Sequence, residues 1–74
     1  MTPVVMPETG FPIARITHWF LHEGEDAREG QRVAEVLAGA VLLDIPSPIT
    51  GRLVRRVVFS GDGLHPGDIL GWLE

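Results

Sequence analysis

The side chains from which this sequence could build chemistry are few: His18, His22 and His65, Ser47 and Ser60, ten carboxylates, and no cysteine. His18 and His22 are four apart, which is one face of a strand or helix. A structural zinc site needs a third ligand at close spacing, and His65 is distant. Neither serine has the context of a nucleophile elbow, and no Ser–His–Asp order stands out. The run from Gly61-Asp62-Gly63 to Gly67 has the glycine content of a phosphate-cradling loop. It lacks the dinucleotide-binding spacing and precedes no helix, so it reads as a turn. Zero cysteine removes disulfides, a thiol nucleophile and thiolate metal ligation. The sequence therefore predicts no catalytic residue and no metal site.

All six basic residues are arginines (Arg15, Arg28, Arg32, Arg52, Arg55 and Arg56), so the chain contains no lysine. The net charge of −4 repels a phosphate backbone and argues against a nucleic-acid partner. Arg52, Arg55 and Arg56 form a local basic cluster that reads either as a solvated strand face or as a docking patch for an acidic partner. The N-terminus has neither a charged n-region nor a long apolar stretch, so no secretory signal is visible. The longest apolar stretch, residues 37–43, is too short to span a bilayer. A soluble cytoplasmic protein, with no membrane contact, is the expectation.

The elements that must position these residues come from an internal repeat. Gly24 and Gly61 lie 37 positions apart, as do Gly30 and Gly67, and 37 is half the length of the chain. Each glycine pair follows an apolar run, residues 16–21 and 53–59, and precedes another, residues 33–37 and 69–73. The repeating unit is thus strand, glycine-bounded turn, strand. Reversal in six or seven residues needs positive φ at some positions, which glycine adopts freely, and the neighbouring acids can accept local backbone N–H groups. The runs are rich in Val, Ile, Leu and Phe, with prolines at their edges (Pro12, Pro46, Pro48, Pro66). A helix over residues 27–38, capped at Asp26 and closed by Gly39, is the rival reading. It would hold Gly30 in its interior, and the second copy carries Pro66 where an interior helical residue would sit. The repeat therefore predicts strands, in one small sandwich or barrel with room for a single modest core. Trp19 and Trp72 are expected in that core or at its rim.

Taken with their spacing, these residues resemble a known family. Met6-Pro7-Glu8, then Ile16-Thr17-His18-Trp19-Phe20-Leu21-His22-Glu23-Gly24-Glu25, Gly30 and Ala34-Glu35-Val36 are similar to the start of lipoyl domains. Ile45-Pro46-Ser47-Pro48-Ile49-Thr50-Gly51 looks like the segment after the modified lysine, and Gly61-Asp62, Gly67 and Ile69-Leu70 look like the closing half. The resemblance covers essentially the whole chain, residues 1–74, as one domain of the biotinyl/lipoyl attachment type. It implies an all-β fold: a flattened β-barrel or sandwich of two antiparallel sheets related by a pseudo-twofold axis, the barrel-sandwich hybrid. In such domains a lysine at the tip of a tight hairpin carries lipoyl or biotin.

The departure lies at that tip. The family pattern reads roughly acid-Thr-Asp-Lys-Ala, whereas this chain reads Leu37-Ala38-Gly39-Ala40-Val41. Ungapped alignment puts Ala40 where the lysine should be. Because the flanking residues differ too, an evolved loss fits better than a single engineered replacement. Without an amine there is no attachment chemistry, and the expectation is no lipoyl or biotin cofactor. Leu37 and Leu42 stand where the family often carries polar residues, so the tip, Leu37, Ala38, Gly39, Ala40, Val41 and Leu42, is the candidate partner-binding surface. The bland alternative is that these side chains fold back onto the barrel end.

The resemblance implies a non-catalytic interaction module. Its partner would be an acyltransferase catalytic domain or related enzyme resembling 2-oxoacid dehydrogenase components, and stand-alone pieces of this kind also occur in natural-product acyl transfer. Two other readings stay open: an assembly or stability subunit, or a fragment of a longer chain, without acyl chemistry; and a small-ligand-binding barrel.

Overall fold

Eight strands and no helix make up the regular structure of the chain, in a computed structural model that describes all 74 residues. They are β1 (Thr2–Val5), β2 (Ala14–Trp19), β3 (Asp26–Ala27), β4 (Arg32–Ala38), β5 (Val41–Pro46), β6 (Gly51–Arg56), β7 (Gly63–Leu64) and β8 (Ile69–Leu73). All pairings are antiparallel, in two four-stranded sheets ordered β1-β8-β6-β3 and β5-β4-β2-β7. The rival helix over residues 27–38 does not form. Those residues hold β3's end, a turn and β4, because Gly30 adopts φ +86° at the reversal.

The 37-residue repeat is reproduced in the backbone. Shifting by one repeat exchanges the two sheets strand for strand, so that β5-β4-β2-β7 becomes β1-β8-β6-β3. The bulge between Ile16 and His18 matches that between Leu53 and Arg55. Gly24 (φ +92°) donates its N–H to Leu53 O at 2.7 Å, and Gly61 (φ +94°) donates to Ile16 O at 2.8 Å. Each of the four turns is closed by a side-chain acceptor. His22 N donates to Glu25 Oε1 (2.7 Å), Phe59 N to Asp62 Oδ2 (2.8 Å) and His65 N to Asp68 Oδ2 (2.8 Å), while Arg28 N donates to Gln31 Oε1 (3.0 Å). Local acceptors thus satisfy N–H groups that leave the ladder at each reversal.

Between the sheets lies one core of 15 buried apolar residues, with Ile16, Val33, Val36, Leu53, Leu70 and Leu73 fully enclosed. Period-two alternation directs these side chains inward. Trp19 packs against the core, and its Nε1 donates to Val58 O at 2.7 Å. Trp72 does not join the core: it lies between two buried residues, Gly71 and Leu73, and faces outward from the sheet, half-buried. Two strands also end earlier than their apolar runs. β2 stops at Trp19 and β6 at Arg56; Phe20 and Val57 each make one more bond to the neighbouring strand (Val33 O and Leu70 O), and the chain then enters the turns.

Candidate functional site at the β4–β5 hairpin

β4 and β5 pair from Ala38 opposite Val41, which leaves Gly39 and Ala40 as a two-residue turn. Gly39 has φ +61° and Ala40 lacks positive φ, the φ pattern of a II′ hairpin turn, whose first central position favours glycine. A second constraint holds Gly39. A Cβ built there would lie 2.5 Å from Phe11 Cε1, so the phenyl ring from the β1–β2 connection lies directly against the glycine.

The tip residues divide by direction. Ala38 is fully buried and serves the core, whereas Gly39 and Ala40 are exposed. Leu37 (37%) and Leu42 (59%), directly opposite each other across the ladder, present large apolar side chains to solvent on the outer face, while Val41 (46%), the partner of Ala38, is exposed at the tip on the other face. Two residues that sequence reasoning passed over sit in the same end of the molecule. Phe11 lies against Gly39, and Ile13 lines a shallow depression together with Ala14, Arg15, Leu37, Gly39 and Gly63. Ile13 is 61% exposed. Their signal in the sequence was a pair of bulky apolar residues around Pro12, in a connection rather than in a strand. Arg15 is exposed and lies opposite both Leu37 and Gly63, so one cation flanks the apolar patch.

The other chemically capable residues are dispersed and occupied. His18 is on β2 and His22 is in the following turn, so their spacing of four does not bring them to one strand face. No group of three or more His, Asp or Glu side chains is arranged to hold a metal ion. His18 Nδ1 is 3.5 Å from Glu35 Oε1, which also accepts the Thr17 hydroxyl at 2.7 Å. The order hydroxyl–carboxylate–imidazole is the wrong one for activating a nucleophile, which needs the base between the other two. Ser47 is buried and donates to Ile49 O (2.7 Å), and Ser60 donates to Thr17 O (3.1 Å). Around the Gly61–Gly67 segment, Asp62 and Asp68 accept the N–H groups of Phe59 and His65, and add negative charge where a phosphate would sit.

A lipoyl or biotinyl group would need an amine on the turn. Ala40 presents a methyl group there, and no lysine occurs elsewhere in the chain, so the residues present do not fit covalent attachment of either group.

Comparison with known proteins places this geometry. The biotin/lipoyl family model, described as "biotin-requiring enzyme", matches residues 2–73. The lipoamide acyltransferase components of the branched-chain alpha-keto acid dehydrogenase complexes of Pseudomonas putida and Pseudomonas aeruginosa are 30% and 34% identical over 69 residues. The alignments cover 90% of this chain and 15% of each relative, so the chain spans only a small part of their length. The solution structure of the lipoyl domain of the 2-oxoglutarate dehydrogenase complex from Azotobacter vinelandii superposes with a TM-score of 0.76. It covers 96% of this chain and 95% of that one at 19% identity, a likeness of fold.

Proposed function

Because the chain belongs to the biotin/lipoyl domain family, we propose that it is a lipoyl-like interaction module that works without lipoylation. It docks on, and supports, an acyltransferase or dehydrogenase-type enzyme resembling a 2-oxoacid dehydrogenase component, a role that extends to acyl transfer in a natural-product pathway. It is not catalytic alone: the partner performs the chemistry, in the cytoplasm, and the domain positions or stabilises it. The observation that carries this reading is the exposed tip. Where attachment would require a flexible amine, the hairpin offers the Leu37–Leu42 pair on its outer face and Val41 on the other, with Phe11 and Ile13 beside the turn. Exposed apolar clusters on a small soluble fold mark contact surfaces, since each side chain gains from leaving water.

The test is co-expression with the component enzymes of a Pseudomonas branched-chain complex, followed by size-exclusion chromatography. The wild-type chain co-elutes with one component, and Leu42→Glu removes it from the complex while its circular dichroism is unchanged. Co-elution unaffected by Leu42→Glu, or with no component, contradicts docking through the tip.

A further inference from the structure

The repeat makes the outer faces of the two sheets comparable position by position. Trp72 lies opposite Pro3 on β1 and Arg55 on β6, as Glu35 lies opposite Asp44 on β5 and His18 on β2. Val54 is the extra residue of its bulge, as Thr17 is of the matching one. Ile69 is opposite Val5 where Arg32 is opposite Pro46. Val57 N donates to Leu70 O at 2.9 Å, and Phe20 N to Val33 O at 2.9 Å.

On the β5-β4-β2-β7 sheet these positions, apart from Phe20 and Pro46, are polar and satisfy one another. Thr17 donates to Glu35, His18 approaches the same carboxylate, Arg32 lies 4.3 Å above the Phe20 ring, and Asp44 is 4.0 Å from Arg32. On the β1-β8-β6-β3 sheet the equivalents are apolar (Trp72, Ile69, Pro3, Val54 and Val57), with Arg55 as the one charge. Arg55 takes part in none of the ion pairs and Arg52 pairs loosely with Asp26 (3.9 Å), whereas Arg56, opposite Gly71, lies on the inward side of β6 with its Nε buried. Both faces are built on the same backbone and both point away from the shared core. The shared backbone geometry does not by itself demand this difference, which leaves the half-exposed apolar face available to a partner.

Size limits what covers the apolar face. The apolar residues sit on three strands, β1, β8 and β6; spaced ~4.8 Å apart, with five residues rising ~3.4 Å each, these give a footprint of roughly 14 by 17 Å. A second folded copy, at ~800 Å² per partner for a standard interface, would have to bury the surrounding polar surface as well. A helix of ~12 residues, about 18 Å long and ~10 Å wide, matches the footprint along its diagonal. Charge limits the chemistry: Arg55, the one cation among the matched outward positions, takes part in no ion pair and is complemented by a carboxylate on the occupant. We propose that the outer face of the β1-β8-β6-β3 sheet, centred on Trp72, docks a short amphipathic, acid-bearing segment of a partner protein. The segment's apolar side lies on Trp72, Val54 and Val57, and its carboxylate meets Arg55. This face belongs to the sheet that does not carry the β4–β5 tip, so it stands or falls separately from the tip contact.

The test uses two synthetic amphipathic helices of one length, with leucines along one side, flanked by glutamates in one peptide and lysines in the other. Titrated into isotopically labelled full-length chain, the glutamate peptide shifts the amide signals of Val54, Arg55 and Trp72. It binds at least tenfold more tightly than the lysine peptide. Arg55→Glu reverses that order, Leu42→Glu leaves it unchanged, and Val54→Glu, a substitution at an exposed bulge position, abolishes binding of both peptides without altering circular dichroism. Equal binding of the two peptides overturns the proposal, as do shifts confined to Leu37 and Leu42. It is also overturned if sedimentation shows a dimer that Val54→Glu dissolves, which makes a second copy the occupant. Binding to phosphatidylglycerol vesicles in place of either peptide overturns it too, in favour of a lipid surface.

Discussion

Ala40 ends in a methyl group at the position where attachment would start from an amine, and its neighbours settle how the tip behaves instead. Leu42 is 59% exposed, so Leu42→Glu is expected to change folding stability by less than about 0.5 kcal/mol. Its effect falls on binding, read as loss of co-elution with the partner. Gly39 is different, because two demands meet there: φ +61° and the Phe11 ring. Gly39→Ala is expected to destabilise by roughly 2 kcal/mol, about 1–2 of it from the left-handed conformation and the remainder from the overlap with Phe11. In a Phe11→Ala background the cost of Gly39→Ala falls to the conformational part alone. Urea unfolding of the four proteins in that cycle measures the coupling, and additive effects would show that Phe11 does not press on the turn. At this scale the sequence announced the absence of lysine and the apolar character of the tip. It did not announce that Ala38 points inward, which depends on the hairpin register, nor that Phe11 joins from 28 positions away. Contacts of that kind follow from how the β1–β2 connection wraps the barrel end, and no local pattern encodes them.

Each turn is a small device that occurs twice, and the copies predict equal energetics. Glu25 and Asp62 stand one repeat apart and accept the equivalent N–H groups of His22 and Phe59. Glu25→Ala and Asp62→Ala are each expected to cost about 1 kcal/mol, and the double variant about 2 kcal/mol because the two turns share no partner. Thermal or denaturant unfolding checks this; a large loss from only one of them would mean that the repeat is not matched in energy. The strands themselves were legible, because apolar alternation and paired glycines both carried the 37-residue period. Pro66 in the second copy also removed the helical reading of the first. Strand ends were less legible. Residues 57–59 are apolar, yet regular pairing ends at Arg56: Val57 N makes one further bond to Leu70 O on β8, and Val58 O then turns to accept the Trp19 indole. Tertiary hydrogen bonds, not hydrophobicity, set that boundary.

Across the whole molecule, the hairpin tip and the two chain ends occupy equivalent places in the two halves, since β4–β5 corresponds to β8 and β1. Thr2 is directly opposite Leu73, so the ends lie side by side. A circular permutant that joins residues 74 and 1 through a short glycine linker and opens between Gly39 and Ala40 is expected to keep the fold. It should lose the tip contact, as judged by an intact β-rich circular dichroism spectrum with no co-elution. A permutant that still co-elutes would move the contact elsewhere. The family and the two-sheet architecture were readable from the residues because the repeat and the landmark spacings run the full length of the chain. The contrast between the outer faces was not, because it emerges only once register assigns each residue a partner and a side. Intact-mass measurement after co-expression with lipoate and biotin ligases tests most directly whether this lipoyl-type domain acts without a prosthetic group. Only the unmodified 8.1 kDa chain is expected; a species heavier by one lipoyl or biotinyl group would overturn that reading.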